Sequence, residues 1–204
     1  MVSQLANAII TYLFNIIMMQ LVGEHGVAAI TILLYGQFLF NAFYLGFTIG
    51  ISPIVGFQYG AGDKQKLCNI YHTSFLFVAV SSVFMAVIAV VLSPTIVTIF
   101  TDDPATYELV AAGFRLFAIN FLFSGISITS SGFFTALSNG TISAVISFCR
   151  TLGFIVLSLL ILPKFLGITG AWIAIPVAEF CTLLVTGVMH FVYFWKPGIR
   201  NYLR

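Results

Sequence analysis

The stretch that decides the fold is residues 71–100, YHTSFLFVAVSSVFMAVIAVVLSPTIVTIF, in which no Asp, Glu, Lys or Arg occurs. A helix that crosses the ~30 Å hydrocarbon core of a bilayer needs about 20 apolar residues, and this stretch is longer. A strand of an outer-membrane barrel would instead alternate polar and apolar residues over ~10 positions. Because lipid offers no partners to backbone N–H and C=O groups, the stretch is predicted to be a transmembrane helix.

The rest of the chain has the same composition. Hydrophobic residues make up 60% of the 204 residues and charged residues 7%, and the mean hydropathy is +1.11. A soluble domain carries roughly 25% charged residues, so a water-soluble globular class is excluded. The formal net charge of +2, without any basic stripe, excludes nucleic acid as a partner.

Five further stretches are also long and apolar, and each break between neighbouring stretches carries a glycine, a proline or charged residues. We predict an all-α polytopic membrane protein, a single six-helix transmembrane lobe over residues 1–204. The predicted spans are approximately residues 5–22, 27–59, 71–100, 105–137, 141–163 and 168–195.

Basic residues indicate the orientation, because Lys and Arg near span ends stay on the cytoplasmic side. Lys64 and Lys66 follow the second span, and Lys196, Arg200 and Arg204 follow the sixth. An even number of crossings separates the two groups, as a shared side requires. We therefore expect both termini to be cytoplasmic. The expected location is a bacterial inner or plasma membrane.

Polar residues recur on one face of several spans. Asn7, Thr11 and Asn15 are spaced by four residues in the first span, and the second, fourth and sixth spans repeat the pattern. Such groups are costly in lipid unless they face other helices or a wet cavity. Hydrogen bonds between helices would explain single Ser or Thr residues, but four striped helices favour a cavity. The residues predicted to line it are Asn15, Gln37, Asn41, Asn120 and Ser124.

Glu179 is the one acid well inside a predicted span, and embedded acids often carry protons or bind cations. Arg150 and Arg115 are the embedded cations. Pro176 removes a backbone donor and is expected to kink the sixth span by freeing the carbonyl of Trp172. We take Glu179, Arg150 and Pro176 as gating or structural candidates.

No arrangement of residues indicates catalysis or a metal site. The three histidines fall in different segments, without HExxH spacing, and neither a GxSxG motif nor a phosphate-binding loop occurs. Cys68, Cys149 and Cys181 are widely separated in or beside apolar runs, as expected of buried thiols. We expect no enzyme activity, no metal site and no cofactor.

Two stretches resemble the multidrug and toxic compound extrusion (MATE) family. Residues 51–63, ISPIVGFQYGAGD, are similar to its P-x-x-G-x-x-Y-G-A signature. Arg150, the Leu162-Pro163 pair, Gly167 and residues 170–179, GAWIAIPVAE, are similar to its C-terminal pattern R…LP…G…G-x-W-x-A-x-P-x-A-E. The second match is the longer and more specific.

The resemblance implies half of a twelve-helix transporter made of two six-helix lobes. Members export drugs and other organic cations in exchange for Na⁺ or H⁺ by alternating access, and this chain is similar to the second lobe. Some branches carry acids for cation coupling in spans where this chain has Asn7, Asn15 and Asn120. The implied partners are the bilayer, an organic cation or drug, and either a missing N-terminal lobe or a second copy of the chain.

Two other functions stay open at the level of the sequence. A lipid-linked saccharide flippase of the same superfamily would need a strongly cationic cavity, for which Arg115 and Arg150 are the available residues. A membrane scaffold or subunit would use the polar stripes for assembly alone.

Overall fold

The protein is a bundle of helices, and the computed structural model describes the backbone of residues 2–195 and the side-chain surroundings of residues 5–193. Within that range no β-strand occurs, so the predicted all-α class is confirmed. The helices are α1 (Val2–Leu21), α2 (Glu24–Ala61), α3 (Lys64–Phe100), α4 (Pro104–Phe117), α5 (Phe121–Ala136), α6 (Gly140–Phe148) and α7 (Phe154–Trp195). A 3-10 turn (Ala118–Asn120) joins α4 to α5, and a π turn (Cys149–Gly153) joins α6 to α7.

The breaks between helices are made by local capping groups. Gly62 ends α2 in the left-handed region (φ 71°), and the Asp63 carboxylate accepts the Lys66 backbone N–H at 3.1 Å at the start of α3. Asp103 caps α4 in the same way, accepting the Thr106 backbone N–H at 2.9 Å. Hydrogen bonds from the Lys66 side chain and backbone lower the pKa of Asp63, and those from the Thr106 hydroxyl and backbone lower the pKa of Asp103.

Four helical stretches in residues 2–195 are long and apolar enough to cross a membrane: Glu24–Ala61, Lys64–Phe100, Pro104–Ala136 and Gly140–Tyr193. Leu5–Leu21 is a shorter apolar helix. The last long stretch contains Gly167, whose dihedral angles (φ 57°, ψ −133°) are not helical. This break falls in the segment that the sequence predicts between the fifth and sixth spans, and the division into six spans stays a prediction. Lys196, Arg200 and Arg204, used for the orientation, lie outside the described residues.

The segment from α4 to α5 forms the centre of the bundle, and the outside of the bundle is apolar. Phe114, Phe117 and Phe121 are at most 1% exposed and belong to one core cluster with residues of α1, α2, α3 and α7. On the outer surface, Phe38 and Phe165 are 75% and 82% exposed. Many other large apolar side chains are exposed as well. Such a surface is expected where lipid, rather than water, surrounds the protein. The chain is thus an integral membrane protein.

Candidate functional site

The best-buried of the predicted site residues lie where α4 passes into α5. Asn120 ends the 3-10 turn and is 0% exposed, and neither atom of its amide group has a hydrogen-bond partner within the described residues. Ser124, one turn further on, is also 0% exposed, and its hydroxyl oxygen has no partner in that range. A buried polar group without a partner costs roughly 1–3 kcal/mol. In this arrangement the lobe itself closes off both groups, so a polar partner can reach them only as an enclosed water molecule or after the helices move apart.

Two further amides share this property. The Oδ1 atoms of Asn15 and Asn41 are buried and have no hydrogen-bond partner within the described residues. Gln37, one turn before Asn41 on α2, is half-buried. The chain thus presents polar amide groups from three helical segments, α1, α2 and the turn before α5.

Most of these amides lie at one depth. His25 Nδ1 is 2.9 Å from Asp103 Oδ2, so the first turns of α2 and α4 lie at the same end of the bundle. At 1.5 Å per residue, Gln37, Asn41 and Asn120 lie about 20, 26 and 24 Å from the starts of their helices. Asn15 lies only about 9 Å from the end of α1. Three of the predicted cavity residues are thus at mid-depth, and Asn15 lies nearer the surface.

Close packing of α2 against α5 determines the depth of Asn41 and Asn120 in the bundle. The Phe40 and Phe121 rings are 4.7 Å apart between centroids, and the Tyr44 hydroxyl donates to the Phe121 carbonyl at 3.2 Å. A Cβ atom on Gly125 would lie 2.6 Å from Tyr44 Cε1, so a glycine is required there for this approach. The contact brings Asn41 and Asn120, each next to one of the two phenylalanines, to the same level of the bundle.

Several hydroxyls of the polar stripes are satisfied within their own helices. Thr48 donates to the Tyr44 carbonyl at 2.7 Å, and Ser52 donates to the Thr48 carbonyl at the same distance. Thr182 donates to the Ala178 carbonyl at 2.8 Å. The spacing predicts that these hydroxyls face a cavity, but their bonds to the preceding turn make a wet surface unnecessary for them.

A group of hydroxyls ties α5 to α6. Ser131 Oγ lies 2.9 Å from Ser143 Oγ and 2.8 Å from Ser147 Oγ, and Thr135 Oγ1 lies 2.7 Å from Ser143 Oγ. The stripe pattern of the sequence did not indicate that these hydroxyls form one cluster. The pattern that could have indicated it is a pair of Ser or Thr residues four positions apart on each side of the Asn139 turn, at 131 and 135 before it and at 143 and 147 after it. The hydroxyls of the cluster form hydrogen bonds with one another, so association of α5 with α6 explains their presence.

An ion pair in the interior joins the π turn to α7. Arg150 Nε donates to Glu179 Oε1 at 2.9 Å, and the two side chains are 19% and 1% exposed. The second carboxylate oxygen, Oε2, is buried and has no hydrogen-bond partner within the described residues. The π turn is an insertion in the helix that often marks functional segments. Arg150 and Glu179, both predicted from the sequence as gating or structural candidates, thus contact each other directly although they are 29 residues apart in the chain.

Pro176 is buried in α7, one turn before Glu179. Gly167 is the residue of α7 with non-helical dihedral angles, so the principal break in this helix is at the glycine. Pro176 remains a structural candidate that packs inside the bundle.

The site offers amides, hydroxyls and one paired carboxylate. Within the described residues, no group of three or more His, Cys, Asp or Glu side chains could hold a metal ion. Amide and hydroxyl oxygens can bind a small cation or accept hydrogen bonds, and amide nitrogens can donate them.

A family model described as MatE matches residues 1–160. The chain is also similar to the outward-facing conformation of a multidrug resistance MATE family transporter of the MOP superfamily, with a TM-score of 0.85 and 21% identity over 96% of this chain and 45% of that chain. A mutant of the Vibrio cholerae MATE transporter VcmN has a TM-score of 0.88 and 18% identity over 100% of this chain and 46% of that chain.

A third similar structure is a MOP superfamily transporter from Pyrococcus furiosus, for which reverse polarity of the binding pocket suggests a different function. Its TM-score is 0.86 at 19% identity, over 100% of this chain and 45% of that chain. No curated protein matches the sequence. The chain spans slightly less than half the length of these solved structures and shares its fold with the corresponding part of each.

Proposed function

Since this chain belongs to the MatE family, we propose that it forms one six-helix lobe of a secondary active transporter. The complete transporter exports drugs or other organic cations in exchange for Na⁺ or H⁺. The second lobe is supplied by another segment of the same protein or by a second copy of this chain. The two lobes rock around a central cavity, so that the cavity opens to each side of the membrane in turn.

The observation that carries this proposal is the group of buried amides at mid-depth. Asn41 and Asn120 have amide atoms without partners in the described lobe, although each would cost roughly 1–3 kcal/mol if it stayed unpaired. Asn41 is half-buried, so a cavity between two lobes can supply its amide with water or bound substrate as a partner. Asn120 is closed off within the lobe, and such a partner reaches it only when the surrounding helices move apart during transport. Sites near the bilayer midplane at the interface between repeats are typical of secondary transporters.

The Arg150–Glu179 pair gives the lobe the rigidity that rocking requires. It fixes the π turn against α7 with a charge-assisted hydrogen bond of 2.9 Å in a largely water-free position. The Glu179 carboxylate already has a cationic partner, so it is poorly suited to take up the coupling ion. We therefore assign ion coupling either to the oxygens of Asn120 and Ser124 or to groups of the second lobe.

Drug export tests the proposal. The chain is expressed from its complete reading frame in cells that lack their own efflux pumps, and the accumulation of a cationic dye is measured. Expression of the unaltered protein is expected to lower dye accumulation, and Asn120→Ala to weaken export about tenfold, as for the loss of one good hydrogen bond. The matched control is Asn69→Ala, which makes the same change at an exposed position of α3.

Two results would contradict the proposal: dye accumulation that the unaltered protein never changes, or an Asn69→Ala loss as large as that of Asn120→Ala. The mass of the chain expressed alone separates the two sources of the second lobe. A stable particle of twice 22.3 kDa indicates a homodimer, and a single copy indicates a missing lobe.

The flippase alternative is not favoured by the arrangement of the cations. A saccharide-diphosphate cargo needs several cations that face one cavity. Arg150 is paired with Glu179, and Arg115 lies in a groove between α3 and α4 on the outside of the bundle. Within the described residues, no cluster of unpaired cations faces the amides.

A further inference from the structure

A groove of about 370 Å³ runs along the outside of the bundle between α3 and the segment from α4 to α5. It is lined by four valines and one alanine of α3 between residues 83 and 91, and by Arg115, Ala118, Ile119 and Leu122. Val83, Val87 and Val91 are 57%, 55% and 67% exposed. Arg115 is the one charged residue among these lining residues, and the rest of the wall is apolar.

The charge of Arg115 is not neutralised by the lobe. All six Asp and Glu residues of the chain lie in the part that the structure describes, and none of them forms an ion pair with Arg115. The preceding acid on the same helix is Glu108, about 10 Å away along the axis. An arginine on a lipid-facing surface without a counter-charge is costly, so an anionic partner is expected from outside the lobe.

The depth of Arg115 identifies the region from which that partner comes. The 37 residues of α3 span about 55 Å, and a bilayer with its headgroups spans about 40–45 Å. Arg115 lies about 16 Å from the start of α4, only a few ångströms below the headgroup boundary. Helical side chains lean towards the helix N-terminus, and arginine extends further by snorkelling. The guanidinium group is thereby carried to the level of the lipid phosphates, with the valine wall below it.

We infer that this groove binds one anionic phospholipid, whose phosphate pairs with Arg115 and whose acyl chain lies along the valine wall of α3. The planar guanidinium group donates two parallel hydrogen bonds to a phosphate. The volume is within the range of ~300–1,000 Å³ for small-ligand sites. A helix of a partner protein fits less well, because it would have to place an acidic side chain opposite Arg115, and acids are rare in membrane-spanning helices.

Lipid retention tests the inference. The protein is purified in a mild detergent and mixed with phosphatidylglycerol or phosphatidylcholine, and native mass spectrometry counts the lipids bound. The unaltered protein is expected to retain one phosphatidylglycerol preferentially. Arg115→Gln should weaken its retention about tenfold, as for the loss of a charge-assisted hydrogen bond. Val87→Trp, which fills the groove and keeps the charge, should also displace the lipid.

The matched control is Lys164→Gln, which removes one exposed positive charge at another position and should leave retention unchanged. Equal retention by Arg115→Gln and the unaltered protein would overturn the inference. An equal loss in Lys164→Gln would overturn it as well, since binding would then follow net charge. A site that inorganic phosphate alone empties would show that the acyl chain contributes nothing, and it would also overturn the inference.

Discussion

Removal of the Glu179 carboxylate tests whether the interior ion pair holds the lobe together. Glu179→Ala leaves the Arg150 guanidinium group only 19% exposed and without its partner at 2.9 Å. Breaking one side of a buried pair typically costs 3–5 kcal/mol, because the remaining charge stays in a poorly solvated place. At about 2–4 °C per kcal/mol for a domain of this size, the expected fall in Tm is about 6–20 °C.

The assay is thermal unfolding in a single detergent, followed by the loss of helical circular dichroism. The double variant Arg150→Met with Glu179→Leu removes both charges and should unfold within about 1–2 kcal/mol of the unaltered protein, because no isolated charge remains. Glu179→Gln keeps an acceptor for Arg150 Nε and should lie between the two.

The reasoning is refuted by either of two results. One is a Glu179→Ala cost below about 1 kcal/mol, which is the range of an exposed pair. The other is a double variant whose cost equals the sum of the single costs, because residues in contact are expected to couple by 0.5–3 kcal/mol. Either outcome would mean that water or another group solvates Arg150 when Glu179 is absent.

Three further predictions follow from the packing and the caps. In a cysteine-free background, Asn41→Cys should react with aqueous thiol reagents and Thr48→Cys should not, since the Thr48 side chain is buried against α5; equal reactivity of both would contradict the cavity. Gly125→Val should cost about 1–3 kcal/mol in the free energy of unfolding by overpacking, whereas Gly46→Ala, whose Cβ meets no atom within 4 Å, should not. The pKa of Asp103 is lower in the folded state than its ordinary value of 3.8, so its contribution to stability should be lost as pH falls below about 4. Unfolding midpoints measured against pH should fall less in Asp103→Asn than in the unaltered protein, and the remaining fall should include that of Asp63, whose pKa is also lowered.

The breaks between helices could be predicted from the sequence because the caps are local, although α3 begins at Lys64, seven residues before the predicted span that starts at residue 71. Gly62 with Asp63, and Asp103 with Pro104, carry their conformational preferences within a few residues, and the helices begin and end beside them. The break at Gly167 is of the same kind. The 3-10 turn and the π turn were not predicted, because no glycine, proline or cap residue marks where either begins. Packing between helices selects these turns, and a single sequence does not show that packing.

The candidate site could be predicted only in part. Asn120 and Ser124 were identified from their spacing on one helix face, and Arg150 and Glu179 as charged residues inside apolar spans. The partnership of Arg150 with Glu179 could not be read from spacing across 29 residues. Asn15 shares the stripe geometry of the other amides yet lies nearer the surface, because the length of α1 beyond it is set by the turn at Gly23.

Hydroxyls and amides differ in how strongly a polar stripe indicates a cavity. A Ser or Thr hydroxyl has one hydrogen to donate, and the carbonyl one turn earlier can accept it, as at Thr48 and Thr182, although Ser124 and Thr186 do not make this bond. An amide has two donor hydrogens and a carbonyl acceptor, which one backbone carbonyl cannot satisfy together. A buried Asn in a membrane helix therefore requires a partner from outside its own helix, whereas a Ser or Thr at the same spacing can be satisfied within it. By this reasoning the functional face is defined by Asn41 and Asn120, and Asn120→Ser should lose more export activity than Ser124→Ala in the same dye assay.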